Sequence, residues 1–181
     1  MRLAWLALAS FLLNACSTLP TSTGPTTPDQ AWQKRHVEMN KLTNWALRGR
    51  TAITQADEGV NAGITWQQNG DVYVIRLAGP FSQGGAVLTG NKHKVTLTVD
   101  NGDTYSAATP EQLLAESVGL QLPVSALREW VKGIPFSGLG VDNKTLDEQG
   151  RLKTLQQAGW EVEYLRYVPF ENTTMPGKIF I

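Results

Sequence analysis

Side chains able to do chemistry are few in this chain and far apart. There is a single cysteine, Cys16, and there are two histidines, His36 and His93. One thiol excludes an intrachain disulfide and a thiolate-rich zinc site. His36 lies in a stretch of helical rhythm with no second metal-binding side chain four residues away, so it reads as a packed helix residue. His93 sits between Lys92 and Lys94 beside a turn and reads as solvated. Serine is plentiful, yet no G-x-S-x-G elbow is present to expose one as a nucleophile. Gly90-Asn91-Lys92 lacks the remainder of a phosphate loop and falls where a hairpin turn belongs. The carboxylates Asp142, Asp147, Glu148, Glu161 and Glu163 are scattered over turns and the polar sides of strands, so solvation explains them better than paired acid–base work. This distribution points away from an enzyme and implies no metal and no cofactor.

The charge balance excludes more. Sixteen Lys+Arg stand against sixteen Asp+Glu over 181 residues. A nucleic-acid protein normally carries clustered excess base, so no nucleic-acid partner is expected. The informative residue is Cys16. It follows Leu3–Leu13, an apolar run behind Met1-Arg2 that is too short for a bilayer span of about 20 residues but shaped like a secretory signal. Leu13-Asn14-Ala15-Cys16 resembles the bacterial lipobox, in which the cysteine is acylated and becomes the mature N-terminus. That resemblance implies a signal peptide over residues 1–15, a lipid attached at Cys16, and, with Ser17 rather than Asp next, passage to the outer membrane. Two or more acyl chains, at about 0.8 kcal/mol per buried methylene, hold a protein stably on a membrane. Ser17 to Asp29 is Ser, Thr, Pro and Gly with Leu19 as its one large apolar residue. It cannot bury enough surface to fold and reads as a tether reaching on the order of 20 Å. The folded domain is expected over residues 30–181.

That domain announces itself by periodicity. From Gln30 to Leu42 the rhythm is helical, with Asp29 as the expected N-cap; Trp32, His36 and Met39 or Val37 share a face, and Lys34, Arg35, Glu38 and Lys41 are expected in solvent. Period-two alternation follows in Trp45–Ile53, Ala62–Trp66, Tyr73–Leu77, Val95–Val99 and Trp160–Tyr164, which predicts half-buried antiparallel strands. Asn69-Gly70 and Asn101-Gly102 favour tight two-residue hairpins, and the spacing suggests a sandwich or barrel. Two helices interrupt the sheet. Thr109-Pro110-Glu111-Gln112 is a capping box and Gly119 a stop; Pro123 opens a second helix carrying Val124, Leu127, Trp130 and Val131, which ends at Gly133. Both have apolar faces too large to leave wet and should lie against the sheet. From pattern alone the inward-facing residues make a plain core, although a curved sheet under helices can enclose a cavity for an apolar ligand.

Four local patterns together resemble one family, the outer-membrane lipoprotein receptor LolB. They are Trp45-Ala46-Leu47-Arg48-Gly49-Arg50 (W-x-L-x-G-R), Gly79-Pro80-Phe81 after the strand Tyr73–Leu77, the helical section Gly119–Pro135 (G-x-x-L-P-x-x-x-L-x-x-W-x-x-G-x-P), and Gln157–Tyr164 followed by Met175-Pro176. Their order, with the lipobox, spans nearly the whole mature chain.

The resemblance implies a mainly β fold, an unclosed antiparallel β-barrel with a helical lid over a hydrophobic cavity. It implies a monomeric receptor that takes acylated lipoproteins from a periplasmic, LolA-like carrier and places them in the inner leaflet of the outer membrane, facing the periplasm. On this reading the acyl-chain cavity is lined from the strands by Trp45, Leu47, Ile64, Trp66, Tyr73, Ile75 and Leu77, from the helices by Leu127 and Trp130, and from the later strands by Trp160 and Val162. Pro80 and Phe81 form the loop that meets outer-membrane lipid. No nucleotide drives such transfer, so affinities must rise along the route, each tenfold step worth about 1.4 kcal/mol. Full burial of several acyl chains would exceed the practical affinity ceiling of roughly 20 kcal/mol, so the cavity is expected to shield them only in part. Two departures stand out: Ser82 replaces a frequent Gly, and relatives are expected to continue past Ile181 into a further strand pair. The competing reading is a lipoprotein that binds lipid or assists envelope assembly without transferring cargo.

Overall fold

The computed structural model describes residues 26–55, 58–79 and 84–181. The apolar run Leu3–Leu13, Cys16, most of the tether, and the loop residues Pro80 and Phe81 lie outside the described residues.

Helix α1 (Pro28–Lys41) opens the domain. Its N-cap is Thr27, not Asp29: the Thr27 hydroxyl accepts from the Gln30 amide at 3.3 Å while the Gln30 side chain accepts from the Thr27 amide at 3.0 Å. Pro28 takes the first helical position, where its missing N–H costs nothing, and this pushes the boundary two residues upstream. Asp29 falls in the first turn, favourably placed for the helix dipole. Trp32 and Met39 are buried and Trp32 stacks on His36 at 5.3 Å. Arg35, expected in solvent, is buried instead.

Six strands form a first antiparallel sheet in sequence order, β1 (Asn44–Gln55), β2 (Glu58–Asn69), β3 (Val72–Ala78), β4 (Gly85–Gly90), β5 (Val95–Val99) and β6 (Thr104–Ala107). The register aligns apolar residues in rows. One runs Leu47, Trp66, Ile75, Leu88, Leu97; beside it run Ile64, Leu77, Ala86, Val99. The turn after β2 is Gly70-Asp71, one residue later than expected, with Gly70 at φ +58°. The Asn101-Gly102 turn is longer than a two-residue hairpin. The Val99 amide donates to Asp103 O, the Gly102 amide donates to Val99 O, and Gly102 takes φ +91°. This is the three-residue turn with a left-handed closing residue, which suits Gly.

Helix α2 (Pro110–Val118) and helix α3 (Val124–Trp130) connect this sheet to the next. Thr109 caps α2 through the Gln112 amide, but the Gln112 side chain turns to Glu116 at 3.0 Å, so only half the expected box forms. Gly119 ends the helix at φ +69°.

A second antiparallel sheet follows in the order β10-β9-β8-β7, from β7 (Asn143–Leu146), β8 (Leu152–Gln157), β9 (Trp160–Phe170) and β10 (Thr173–Phe180). The fold is thus mainly β. No strand pair links the two sheets among the described residues, so they form no closed barrel. The alternation test does not find β4, β6, β7, β8 and β10, and irregular register contributes in the second sheet. In β8 a bulge opposite Thr145 and Leu146 brings Leu152 and Leu155, three residues apart, to the same buried side. In the β9–β10 pair two irregularities do the same to Tyr164 and Tyr167, which stack at 6.0 Å.

Candidate functional site: an apolar face shared by two sheets

The inner face of the first sheet is a continuous apolar surface. Trp45 and Trp66 lie 5.2 Å apart in a tilted pair. Trp66 is held from behind, its indole N–H donating to Gln68 Oε1 at 2.9 Å while Gln68 Nε2 donates to Gly70 O at 2.8 Å. Gln68 is itself buried. It shares a strand face with Trp66 at spacing two, the signal by which sequence reasoning could have found it. Tyr73 lies against Gly90: a methyl group on Gly90 would sit 2.3 Å from the Tyr73 ring. The Tyr73 hydroxyl is buried without a hydrogen-bond partner among the described residues, and burial pushes its pKa up to about 12.

Cover on this face is uneven. At the β5 side Val95 and Leu97 are each 2% exposed, packed under Leu113 of α2 and Val124 of α3. Toward β1 and along the row Ile64, Leu77, Ala86, Val99 the side chains are only half-buried. That row runs out to the end of β3 and the start of β4, where the Gly79 amide donates to Gly84 O at 2.7 Å and closes the base of the loop holding Pro80 and Phe81.

The residues expected to share one cavity are distributed between two cores. Trp45, Leu47, Ile64, Trp66, Tyr73 and Ile75 belong to the first, with Leu77 in the adjoining row. Trp130, Trp160 and Val162 belong to a second, which packs α1 and α3 against the second sheet around Leu152, Leu155 and Tyr164. Leu127 touches both. Alternation reports which side of a strand is apolar but not which sheet the strand joins, and α3 is the wedge whose two sides serve the two cores. Trp130 and Val162 are fully buried.

Polar residues that alternation could not single out hold the wedge. Gln157, fully buried, accepts from the Trp130 indole N–H and the Phe136 amide, each at 2.9 Å, and donates to Phe136 O at 2.8 Å and Leu139 O at 2.9 Å. Lys132, also buried, donates from Nζ to Met39 O and Leu42 O at 3.3 Å each. It thereby satisfies carbonyls at the end of α1, and its charge lies 2.7 Å from Glu129 Oε2. In return Arg35 Nη2 donates to Lys132 O at 3.2 Å. Burial lowers the Arg35 pKa from its ordinary value.

None of this geometry performs bond chemistry. No group of three or more His, Cys, Asp or Glu side chains is placed to hold a metal ion among the described residues. Among them, too, no helix is long and apolar enough to cross a membrane. His93 is exposed in the β4–β5 turn, where Asn91 Oδ1 accepts from the His93 and Lys94 amides.

The family model described as outer membrane lipoprotein LolB matches residues 43–181, both sheets and the wedge between them. The chain belongs to the LolB family. The outer-membrane lipoprotein LolB of Nitrosococcus oceani is 38% identical over 99% of this chain and 90% of its own length. Those of Halorhodospira halophila and Pseudomonas syringae are 36% and 37% identical, over 95% and 93% of this chain and 83% and 82% of their own lengths. LolB-family membership makes the chain an outer-membrane lipoprotein of the lipoprotein-localisation machinery, with lipoproteins as partners, and not an enzyme.

Proposed function

We propose that this chain is a receptor that accepts acylated lipoproteins from a soluble periplasmic carrier and passes them into the inner leaflet of the outer membrane, tethered there through lipid on Cys16. The observation that carries this reading is the uneven cover of the first sheet, whose apolar rows continue past the helices as half-buried Trp45, Leu47, Ile64 and Leu77. An apolar face left part-covered is unusual for a finished core and suits a guest of the same chemistry. In this reading α2 and α3 act as a lid. Its outward movement would lengthen the accessible rows to admit acyl chains, and the second core would be the fixed base from which α3 hinges. The part-covered face holds a chain loosely enough to release it, as transfer without an energy source requires.

Delivery is assigned to the loop of Pro80 and Phe81, because the half-buried row ends at the base of that loop, Gly79 and Gly84. An aromatic between Gly79-Pro80 and Ser82-Gln83-Gly84 would contact lipid at little conformational cost. Phe81→Glu is expected to accept a lipoprotein from the carrier at the normal rate and to fail in passing it to liposomes. The measurement is a two-stage transfer with radiolabelled lipoprotein; normal delivery by the mutant would refute the role given to Phe81. Failure of the unmodified protein to take cargo from the carrier would refute the receptor reading itself.

A further inference from the structure

Away from the apolar face, α1, the turn before β8 and the β9–β10 hairpin border an open surface hollow of about 330 Å³, lined by Arg35, Gln149, Arg151, Asn172, Thr173 and Thr174. Every lining side chain carries a hydrogen-bond donor, two are cationic and none is a carboxylate. Arg35 is 7% exposed, and no carboxylate among the described residues lies within ion-pair distance of it. Asp147, on the turn nearby, is committed to Arg151, whose Nε donates to Asp147 Oδ2 at 2.7 Å. The place therefore holds two guanidiniums against one carboxylate.

Arg35 spends its donors weakly. Nη1 reaches Thr173 Oγ1 at 3.3 Å and Nη2 reaches Lys132 O at 3.2 Å, both neutral acceptors at long range. Nε is buried with no hydrogen-bond partner among the described residues. Bonds from a guanidinium to an anion are ordinarily about 2.7–2.9 Å, so the capacity of this cation is only partly used among the described residues. A buried charge without a counter-charge is costly, and an unpartnered buried donor adds to that cost. Both guanidiniums are nevertheless held in place over the Tyr167 ring, at 5.3 Å for Arg35 and 4.5 Å for Arg151. Tyr167 is anchored in turn, its hydroxyl donating to Leu152 O at 2.9 Å. Thr174 contributes a hydroxyl with no partner among the described residues, and Asn172 a free amide. Glu171, on the same hairpin turn, is exposed and does not line the hollow.

We propose that this hollow is an oxyanion site for a phosphate group, held by Arg35 and Arg151 with Thr173, Thr174 and Asn172 as neutral donors. Rigid guanidiniums beside hydroxyls match the tetrahedral array of phosphate acceptors, and the volume admits an ester substituent. The phosphate can come from a lipid headgroup or from solution, and the two sources separate experimentally.

The test uses the full chain in non-ionic detergent, titrated at constant ionic strength with inorganic phosphate, with glycerophosphoglycerol (a phosphodiester headgroup without acyl chains) and with chloride. Amide NMR shifts of Asn172, Thr173 and Thr174 and the Arg35 Nε–H are followed. Saturation is expected with a dissociation constant on the order of 1 mM. Thr174→Val and Arg151→Gln should each weaken it about tenfold, the loss of one such bond. Thr174→Val removes no side-chain bond made among the described residues, so its effect does not depend on altered folding. Saturation by the diester alone assigns the site to lipid headgroups, and saturation by inorganic phosphate alone assigns it to the free ion. The proposal is overturned if neither saturates, if chloride gives the same shifts, or if both variants bind unchanged.

Discussion

Gln157 is the residue on which the two-core arrangement can be tested most sharply. Replacing it with Leu keeps its approximate volume and deletes four hydrogen bonds at once. The four groups left behind differ in their access to water. Trp130 is fully buried, so its indole N–H has nowhere else to donate. The Phe136 amide and carbonyl belong to a half-buried residue, while Leu139 is 49% exposed and its carbonyl can turn to solvent. At about 1–3 kcal/mol for each stranded buried donor, and about 1–2 kcal/mol returned by apolar contact of the new side chain, the net loss is about 3 kcal/mol. That is a large share of a total stability of roughly 5–15 kcal/mol. Urea unfolding followed by tryptophan fluorescence should show a lower midpoint with unchanged slope, and the Phe136 amide should lose its hydrogen-exchange protection. Gln157→Glu gives an internal check. An ionised carboxylate cannot donate to Phe136 O and Leu139 O, so its folded pKa would rise above the unfolded value. That variant should be nearest to wild type in acid and lose stability as pH rises through the folded pKa. A loss under about 1 kcal/mol for Gln157→Leu with Phe136 still protected would refute the argument that this amide fastens α3 and the following loop to β8.

Three further outcomes are expected. Tyr73→Phe removes a buried hydroxyl that has no partner among the described residues and should leave stability unchanged or raise it by about 1 kcal/mol in the same urea assay. Because the folded pKa of Tyr73 is raised to about 12 while the unfolded value is near 10, its neutral form favours the fold. That contribution is whole below pH 10 and lost as pH rises toward 12, and the mutant should show a shallower alkaline decline. Lys132→Met leaves Glu129 with only the longer Arg128 contact, at 3.5 Å, and the end of α1 without its donor, at a cost of about 3 kcal/mol; adding Glu129→Gln should recover part of it, and strict additivity would count against the pairing. Gly150→Ala should cost about 2–5 kcal/mol by thermal melting, since its φ is +70° and a Cβ there would clash with Pro28 O and lie 2.7 Å from the Trp32 amide nitrogen.

How much was legible beforehand can be told from particular residues. Trp45, Leu47, Trp66, Ile75 and Leu97 reveal their inward side because alternation is a local property of an extended chain. Pro110, Gly119 and Gly70 reveal helix and turn boundaries because their backbone limits are local too. Leu152 and Leu155 do not show themselves, because a bulge is decided by the partner strand. Arg35 looks like any solvated helix cation until the β9–β10 hairpin and Lys132 are packed over it. The lone Cys16 and the four motifs point to the family because they are read residue by residue.

The sequence by itself determined the class of surface, apolar on one side of each strand, and membership of a lipoprotein-localisation family. Only the tertiary structure decided that Trp130, Trp160 and Val162 serve a different core from Trp45 and Trp66, and that two arginines meet over one tyrosine. The physical reason is range. Periodicity and capping are settled within a few residues, whereas sheet membership and the neighbours of a buried charge depend on contacts between segments far apart in the chain.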